Sequence, residues 1–195
     1  RMVAMAVRLP DYGITSVGID ETAAAADATA VLTRLGHRRI AHIMGPAGIN
    51  TTARREGYRA ALRAAGLPVI EAMEKEGENT VESGIAAARE LLAGESRPSG
   101  IFCANDEMAI GAIIACKEAG LAVPADISIV GFDDIEMAAY YDPPLTTVRQ
   151  PRYAIGRAAM TELLKIMSGD MRDVGRQIVL HHMVMARKST APPRK

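Results

Sequence analysis

Residues 127–134, ISIVGFDD, join a short apolar run to a pair of carboxylates. The β-branched and aromatic residues of the run predict a buried parallel strand. Asp133 and Asp134 follow at its carboxyl end, which is where open α/β sheets bind their ligands. Pro143 and Pro144 then end the next short helix and return the chain to an extended segment. The stretch therefore predicts a small-molecule binding cleft with a hinge.

Predicted strands and helices alternate along almost the whole chain. We predict strands over residues 2–7, 14–19, 40–44, 69–73, 100–104, 127–132 and 178–185. Helices are predicted to begin at Asp20, at Thr51 or Thr52, at Asn79 in a capping box with Glu82, at Asp106 and at Pro151, and to end at Gly36, Gly66, Gly94, Gly120 and Gly169. This alternation predicts an α/β fold in which a mostly parallel sheet is flanked by helices on both faces.

The composition is that of an ordinary globular protein. The 195 residues carry 23 basic and 23 acidic side chains, so the basic excess expected of a free-standing nucleic-acid binder is absent. Cys103 and Cys116 lie in apolar patterns typical of small buried hydrophobes, not of a disulfide or a metal pair, and this fits a reducing, cytoplasmic setting. No apolar run approaches the roughly 20 residues that cross a membrane, so we expect no membrane association.

No motif in the sequence predicts catalysis. The four histidines lack metal-ligand spacing, and the chain contains neither a Gly-x-Ser-x-Gly nucleophile elbow nor a phosphate-binding glycine loop. We therefore expect no enzyme activity, no metal and no cofactor.

Polar side chains at predicted strand and helix ends form a candidate ligand site. Arg54 and Arg55 lie near a helix N-terminus, where a guanidinium and free N–H groups could hold a carboxylate, hydroxyl or phosphate oxygen. By spacing alone, an ordinary surface arginine pair is the favoured interpretation. If Asp106 caps its helix, Asn105 projects from the sheet edge beside Asp133, and the two suit a polyhydroxylated ligand. For Asp134 we expect a helix cap.

Several blocks of sequence resemble the effector-binding core of the LacI/GalR family of bacterial transcription regulators. They are residues 35–43, LGHRRIAHI, with Gly45-Pro46; Arg54 with Gly57-Tyr58; residues 102–109, FCANDEMA, with Gly111; GFDD at 131–134 with PPLTTVRQP at 143–151; and RKST at 187–190. The resemblance runs from about Val3 to Thr190 and is specific through the combination of blocks.

The resemblance implies a periplasmic-binding-protein-like fold of two α/β lobes with the effector between them. It implies effector contacts for Arg54, Asn105 and Asp133, to which we add the nearby polar residues Asn50, Asn79 and Gln150. It also implies a homodimer, with contacts from the helix of Ile110 and Ile114 and from the segment of Met137, Tyr140 and Tyr141.

The same resemblance predicts how the chain divides. We expect residues 1–19 and 149–175 to be a remnant of the N-terminal lobe, and residues 20–148 and 176–190 to form the C-terminal lobe. Residues 191–195 are expected to be a disordered tail. The family's DNA-binding helix-turn-helix is expected outside this sequence, so operator DNA would be contacted only through that N-terminal domain.

The implied function is the effector-binding and dimerisation core of a cytoplasmic transcriptional repressor that responds to a sugar or a related metabolite. The alternative is a periplasmic-type solute-binding protein of a transport system, which shares the fold. An upstream signal peptide instead of a helix-turn-helix would distinguish that alternative. The identity of the effector, the operator, and the choice between induction and co-repression stay open.

Overall fold

The computed structural model describes residues 2–7, 9, 12–94, 96–169 and 175–194. The chain forms two compact units, Arg1–Asp20 with Gln150–Met183 and Glu21–Arg149 with Val184–Lys195. Each unit has a sheet of its own. Strands alternate with helices along the described chain, so the predicted α/β class is confirmed.

The first unit is a small parallel sheet covered by one helix. Strands β1, Val3–Met5, and β8, Gln177–Leu180, pair in parallel with β2, Thr15–Ile19, on its two sides. Helix α6, Arg152–Met167, packs against β1 and β2. Pro151 was predicted at the first helical position of α6. In the structure it is the N-cap, one position earlier in the helix.

The second unit is a sheet with helix pairs on both faces. Its strands, in the order β4-β3-β5-β6-β7-β9, are β3, Ile40–Met44; β4, Glu74–Glu76; β5, Gly100–Cys103; β6, Ser128–Asp133; β7, Thr146–Arg149; and β9, Met183–Met185. Its helices are α1, Glu21–Arg34; α2, Ile49–Ala64; α3, Val81–Ala93; α4, Asp106–Glu118; and α5, Glu136–Tyr140. Helices α1 and α2 pack on each other, as do α3 and α4.

The core of this unit lies on both sides of the sheet because side chains alternate along each strand. Ile101 and Cys103 face the apolar core formed with α3 and α4, which also contains Met108. Phe102 points to the opposite face, where it stacks on His42. Both cysteines are free and buried, as their apolar surroundings predicted.

Two strand predictions were wrong. Residues 71–73 form a 3-10 turn, and the strand that follows is the charged sequence Glu74–Glu76 at the edge of the sheet. This strand is not an apolar run, because its buried Glu74 pairs with arginines, and a prediction from apolar runs therefore does not include it. The single strand predicted over 178–185 is two strands, since β8 pairs with β2 and β9 lies beside β7. Residues 177–183 consequently group with the first unit, not with the second as the expected division had them.

The start of the C-terminal tail is anchored, contrary to the expected disorder of residues 191–195. The backbone of Ala191 donates to Ser128 Oγ at 3.0 Å, and its carbonyl oxygen accepts from His37 Nε2 at 2.9 Å. Arg194 pairs with Asp126 at 2.5 Å. Residue 195 lies outside the described residues.

Several helix caps differ from the predicted ones. Helix α2 begins at Ile49 after Gly48, so Thr51 and Thr52 lie within the helix and donate to the carbonyl oxygens of Pro46 and Gly48. The capping box of α3 pairs Thr80 with Ser83, instead of Asn79 with Glu82. The N-cap of α4 is Asn105, and that of α5 is Ile135.

Candidate functional site

Three predicted site residues come from the carboxyl ends of neighbouring strands in the second unit. Asn105 follows β5, Asp133 ends β6, and Arg54 lies on α2, the helix that follows β3. Because β3, β5 and β6 are parallel and adjacent, their carboxyl ends share one edge of the sheet. The structure therefore gathers at this edge the residues that the sequence distributes over some 80 positions, from 54 to 133.

Asn105 is fixed in place by two hydrogen bonds. Its Oδ1 accepts from the backbone of Met108 at 2.9 Å, and its Nδ2 donates to the carbonyl oxygen of Asn79 at 2.9 Å. The prediction that Asp106 caps α4 and leaves Asn105 to project was therefore wrong. An amide has four hydrogen-bonding positions, so one N–H and one lone pair of Asn105 are left beyond these two bonds.

Arg54 is clamped at the centre of this edge. Its Nε donates to Glu21 Oε2 at 2.7 Å, and its Nη1 donates to the carbonyl oxygen of Ala104. The guanidinium carbon lies 3.8 Å from the ring centroid of Phe132, within cation–π range. Only 11% of the side chain is exposed, so the surface-pair interpretation was wrong for Arg54.

Arg55 has a different role from its neighbour. Its Nη2 and the Nε of Arg59 hold the two oxygens of Glu74 at 2.5 and 2.6 Å, and these hydrogen bonds lower the pKa of Glu74 against the opposing effect of burial. The side chain of Glu74 is 1% exposed. Arg55 therefore ties α2 to the edge strand β4 and does not belong with the ligand candidates.

Asn79 and Asp133 have unusual backbone conformations. Asn79 has a φ of 60° and Asp133 a φ of 111°, positive values that residues other than glycine rarely adopt. Such conformations cluster at ligand sites, where the surrounding structure holds them. A Cβ on Gly45 would lie 2.8 Å from Oδ1 of Asn79, so glycine at the end of β3 makes room for this side chain.

Asp106 and Asp134, which the sequence suggested as helix caps, instead bond to residues of other elements. Asp106 is fully buried and accepts from Thr147 Oγ1 at 2.5 Å and from the backbone of Ile135 at 2.9 Å; burial raises its pKa to about 7. Asp134 pairs with Arg149 at 2.5 Å and Arg187 at 2.6 Å. No sequence signal identified Arg187 as a partner, because 53 positions separate it from Asp134.

Comparison with known proteins identifies the family. The sequence model of a protein family, the periplasmic binding protein-like domain, matches residues 29–190 of this chain. A regulatory protein of the LacI family from Chloroflexus aggregans is 38% identical, with a TM-score of 0.89, over 96% of this chain and 68% of that one. The chain belongs to the LacI family of transcriptional regulators.

Other relatives of this LacI-family chain are also regulators. The HTH-type transcriptional repressor CytR of Escherichia coli K12 is 40% identical over 94% of this chain and 54% of that protein. The complex of the transcriptional regulator CelR with cellobiose has a TM-score of 0.90 and 35% identity, over 96% of this chain and 58% of that chain. The chain therefore spans about half the length of the curated relatives it matches.

The other predicted contacts of the LacI-family core are dispersed. Asn50 lies in the first turn of α2, and Gln150 belongs to the first unit, ahead of α6. Of the expected dimer residues, Ile110 is buried within its own unit and Ile114 is half-buried. On α5, Met137 is 54% and Tyr140 78% exposed, and Tyr141 just beyond it is half-buried. The exposed apolar surface among these residues is thus on α5, not on α4.

The described ranges of the chain contain neither a membrane-spanning helix nor a cluster of metal ligands. Within them, no helix is both long and apolar enough to span a membrane. In the same part of the chain, no three His, Cys, Asp or Glu side chains are grouped as metal ligands would be.

A buried histidine lies under the site and was not singled out by the sequence. His42 stacks on Phe102 with ring centroids 4.6 Å apart, and its Nδ1 donates to the carbonyl oxygen of Phe102 at 3.0 Å. Its Nε2 is buried without a hydrogen-bond partner among the described residues. Burial lowers the pKa of His42 to about 4.

We expect His42 to make folding less favourable in acid. Between pH 4 and 6.5 the folded protein binds fewer protons at this ring than the unfolded chain does, so stability falls as the pH falls. From pH 7 to pH 5 the loss is about 2 kcal/mol of unfolding free energy. Urea unfolding at both pH values should show a smaller loss for His42→Phe, which keeps an aromatic ring but cannot titrate.

Asp106 changes stability with pH in the opposite direction from His42, and it is present in both wild type and His42→Phe. Its raised pKa means that the folded state gains stability as the pH falls from about 7 toward the ordinary aspartate value of 3.8. The difference between wild type and His42→Phe therefore isolates the histidine. Equal pH dependence in the two proteins would contradict a neutral, buried His42.

Proposed function

We propose that this chain is the effector-binding and dimerisation core of a LacI-type transcriptional repressor whose effector is a small polyhydroxylated molecule such as a sugar. The observation that carries the proposal is the gathering of Arg54, Asn105 and Asp133 at one sheet edge in a LacI-family fold. Asn79 joins them through its hydrogen bond to Asn105. Asn50 is a further proposed effector contact, and Gln150 stays a prediction from the family resemblance.

The chemistry of these groups suits hydroxyl recognition. A carboxylate such as Asp133 accepts from hydroxyls, and the unused positions of Asn105 can both donate and accept. The Nη2 of Arg54 makes no hydrogen bond to the described protein, while its other groups hold the side chain still. The relative CelR was solved as a complex with cellobiose, which supports a sugar-like effector.

Hydrogen bonding, instead of stacking, would select the ligand. The chain has no tryptophan, and its two phenylalanines, Phe102 and Phe132, are fully buried. Phe132 already stacks against Arg54. Specificity would therefore come from the polar groups of the site, because an analogue that lacks a matching hydroxyl cannot satisfy their hydrogen bonds.

The proposed mechanism is a population shift in a cytoplasmic homodimer that binds operator DNA through an N-terminal domain outside this sequence. The effector favours one arrangement of the dimer and so changes operator affinity, with the coupling free energy set by its preference between the two arrangements. Met137 and Tyr140, exposed on α5, supply apolar surface for the dimer contact, as does Tyr141 just beyond that helix. Ile110 and Ile114 on α4 are the other proposed dimer contacts.

The family relatives favour this function over the alternatives. The alternative function was that of a solute-binding protein of a transport system, but the relatives that this chain matches are transcriptional regulators. The same relatives, as transcriptional regulators, support a protein without enzyme activity.

Asp133→Asn in the complete regulator is expected to weaken the effector response by about tenfold or more. Asparagine tolerates a positive φ, so the backbone is kept while the charged acceptor is lost. Operator binding is measured by fluorescence anisotropy during titration with a panel of neutral sugars that begins with cellobiose. Any sugar that releases or recruits wild type is then titrated into the variant.

Asp142→Asn is the matched control, because the side chain of Asp142 is 95% exposed and should not touch an effector. The control should respond like wild type. An unchanged response in Asp133→Asn would contradict the proposed site, and a wild type that answers to no small molecule would contradict the proposed function.

A further inference from the structure

Glu21 places a full negative charge against the arginine of the proposed site. It is the first residue of α1, where the partial positive charge of the helix N-terminus stabilises a carboxylate. Its Oε2 accepts from Arg54 Nε at 2.7 Å, and its side chain is only 5% exposed. Glu21 and Arg54 thus form an ion pair that is shielded from solvent on both sides.

The pair changes what Arg54 can offer to a ligand. A lone guanidinium attracts carboxylates and phosphates through its charge and its paired N–H groups. Here the charge is balanced by Glu21 and one N–H is already used. Arg54 keeps N–H groups that can donate to a neutral oxygen, but its net attraction for an anion is cancelled.

The next two basic side chains along α2 do not restore that attraction. Arg55 and Arg59 both bind Glu74. The start of α2 has no side-chain cap, so its N–H groups favour negative oxygen with the strength of about half an elementary charge. Against this, Glu21 contributes a whole charge, and Asp133 is a further acid of the same edge.

We infer that Glu21 is a specificity-determining residue, which holds Arg54 for neutral polyhydroxylated effectors and excludes anionic ones such as sugar phosphates and sugar acids. The inference rests on the proposed function, since it concerns the ligand class of that same site. Glu21 acts through Arg54 and is a positioning residue. It sets both the place of the guanidinium and the sign of the charge that a ligand meets.

The test uses inorganic phosphate as the anion probe on the full chain. Thermal unfolding is followed against phosphate concentration, with sodium chloride at matched ionic strength as the reference, because screening alone shifts stability. We expect no saturable effect of phosphate on wild type. Glu21→Gln keeps an acceptor for Arg54 but removes the charge, and should gain saturable stabilisation, with phosphate affinity raised by about tenfold or more.

Two variants separate charge from a merely structural role. Glu21→Asp keeps the charge and should exclude phosphate as wild type does. Glu21→Gln combined with Arg54→Gln should lose the phosphate effect, since the guanidinium that binds it is gone. This pattern of gain and loss is not expected from a change in stability alone.

Saturable phosphate binding by wild type that Arg54→Gln abolishes would overturn the inference. So would a folded Glu21→Gln that gains no phosphate affinity. If Glu21→Gln does not fold, the wild-type titration still decides the matter. Failure of the proposed function is a separate result, because it appears as a complete wild-type regulator whose operator binding answers to no small molecule.

Discussion

Arg54→Ala is expected to lower the free energy of unfolding by about 3 kcal/mol and to abolish the effector response as well. The large cost has an electrostatic cause. Truncation leaves the carboxylate of Glu21, 5% exposed, without the guanidinium that balances it. It also removes the donor to the Ala104 carbonyl oxygen and the cation that covers the Phe132 ring. Chemical denaturation of wild type and variant at neutral pH measures the difference.

Arg63→Ala is the control for this measurement. Arg63 lies in the last turn of the same helix and is exposed, so its loss should change stability by no more than about 0.5 kcal/mol. If Arg54→Ala had the same free energy of unfolding as Arg63→Ala, the stabilising contacts of Arg54 with Glu21, Ala104 and Phe132 would be contradicted. The double variant Arg54→Ala with Glu21→Ala should recover part of the loss, because no buried charge is then left unpaired.

Gly111→Ala is expected to destabilise the second unit by about 3 kcal/mol. A Cβ at this position in α4 would lie 2.2 Å from the carbonyl oxygen of Val81 and 2.8 Å from the backbone nitrogen of Ile85. These are backbone atoms of α3 and cannot rotate away. The two helices would have to separate, and α4 carries Asn105 at its start, so ligand contacts should weaken together with stability. The midpoint of urea unfolding, followed by circular dichroism, measures the effect.

Gly156→Ala provides a matched control in a helix without a close neighbour. A Cβ at Gly156 in α6 meets no atom of the described residues within 4 Å, so alanine should stabilise that helix by about 0.5 to 1 kcal/mol. The same substitution is therefore expected to have opposite signs at the two sites. A tolerated Gly111→Ala would mean that α3 and α4 are not held in backbone contact there.

Much of the second unit follows from local sequence patterns. Ile40–Met44 was predicted to the residue, and Gly100–Cys103 and Ser128–Asp133 were placed within one residue of each end, because buried parallel strands are short apolar runs that end at turn-forming residues. The meeting of Asn105 and Asp133 also followed, since parallel strands put their carboxyl ends at one edge, whereas Arg54 was placed with them only by the resemblance to the LacI/GalR family. The assignment of these three residues to an effector is still a prediction.

The errors share a physical cause. Asp106 and Asp134 were taken for caps because aspartate near a helix start usually caps it. In the structure Asp106 bonds to Thr147, and Asp134 to Arg187, both far away in sequence. The strand Glu74–Glu76 was missed for a similar reason, because its buried Glu74 is stabilised by Arg55 and Arg59 of another element.

The sequence by itself determined most of the order of strands and helices, the α/β class, and the sheet edge at which Asn105 and Asp133 meet. These depend on local periodicity and turn chemistry, which act between near neighbours. The family was indicated separately, by the resemblance of several sequence blocks. Only the tertiary structure decided which charges face each other. Arg54 looked like a surface arginine with a free charge until the fold brought Glu21, 33 positions away, to within 2.7 Å of it. Pairing across such separations leaves no periodic signal, because each partner is chosen by the packing of whole helices.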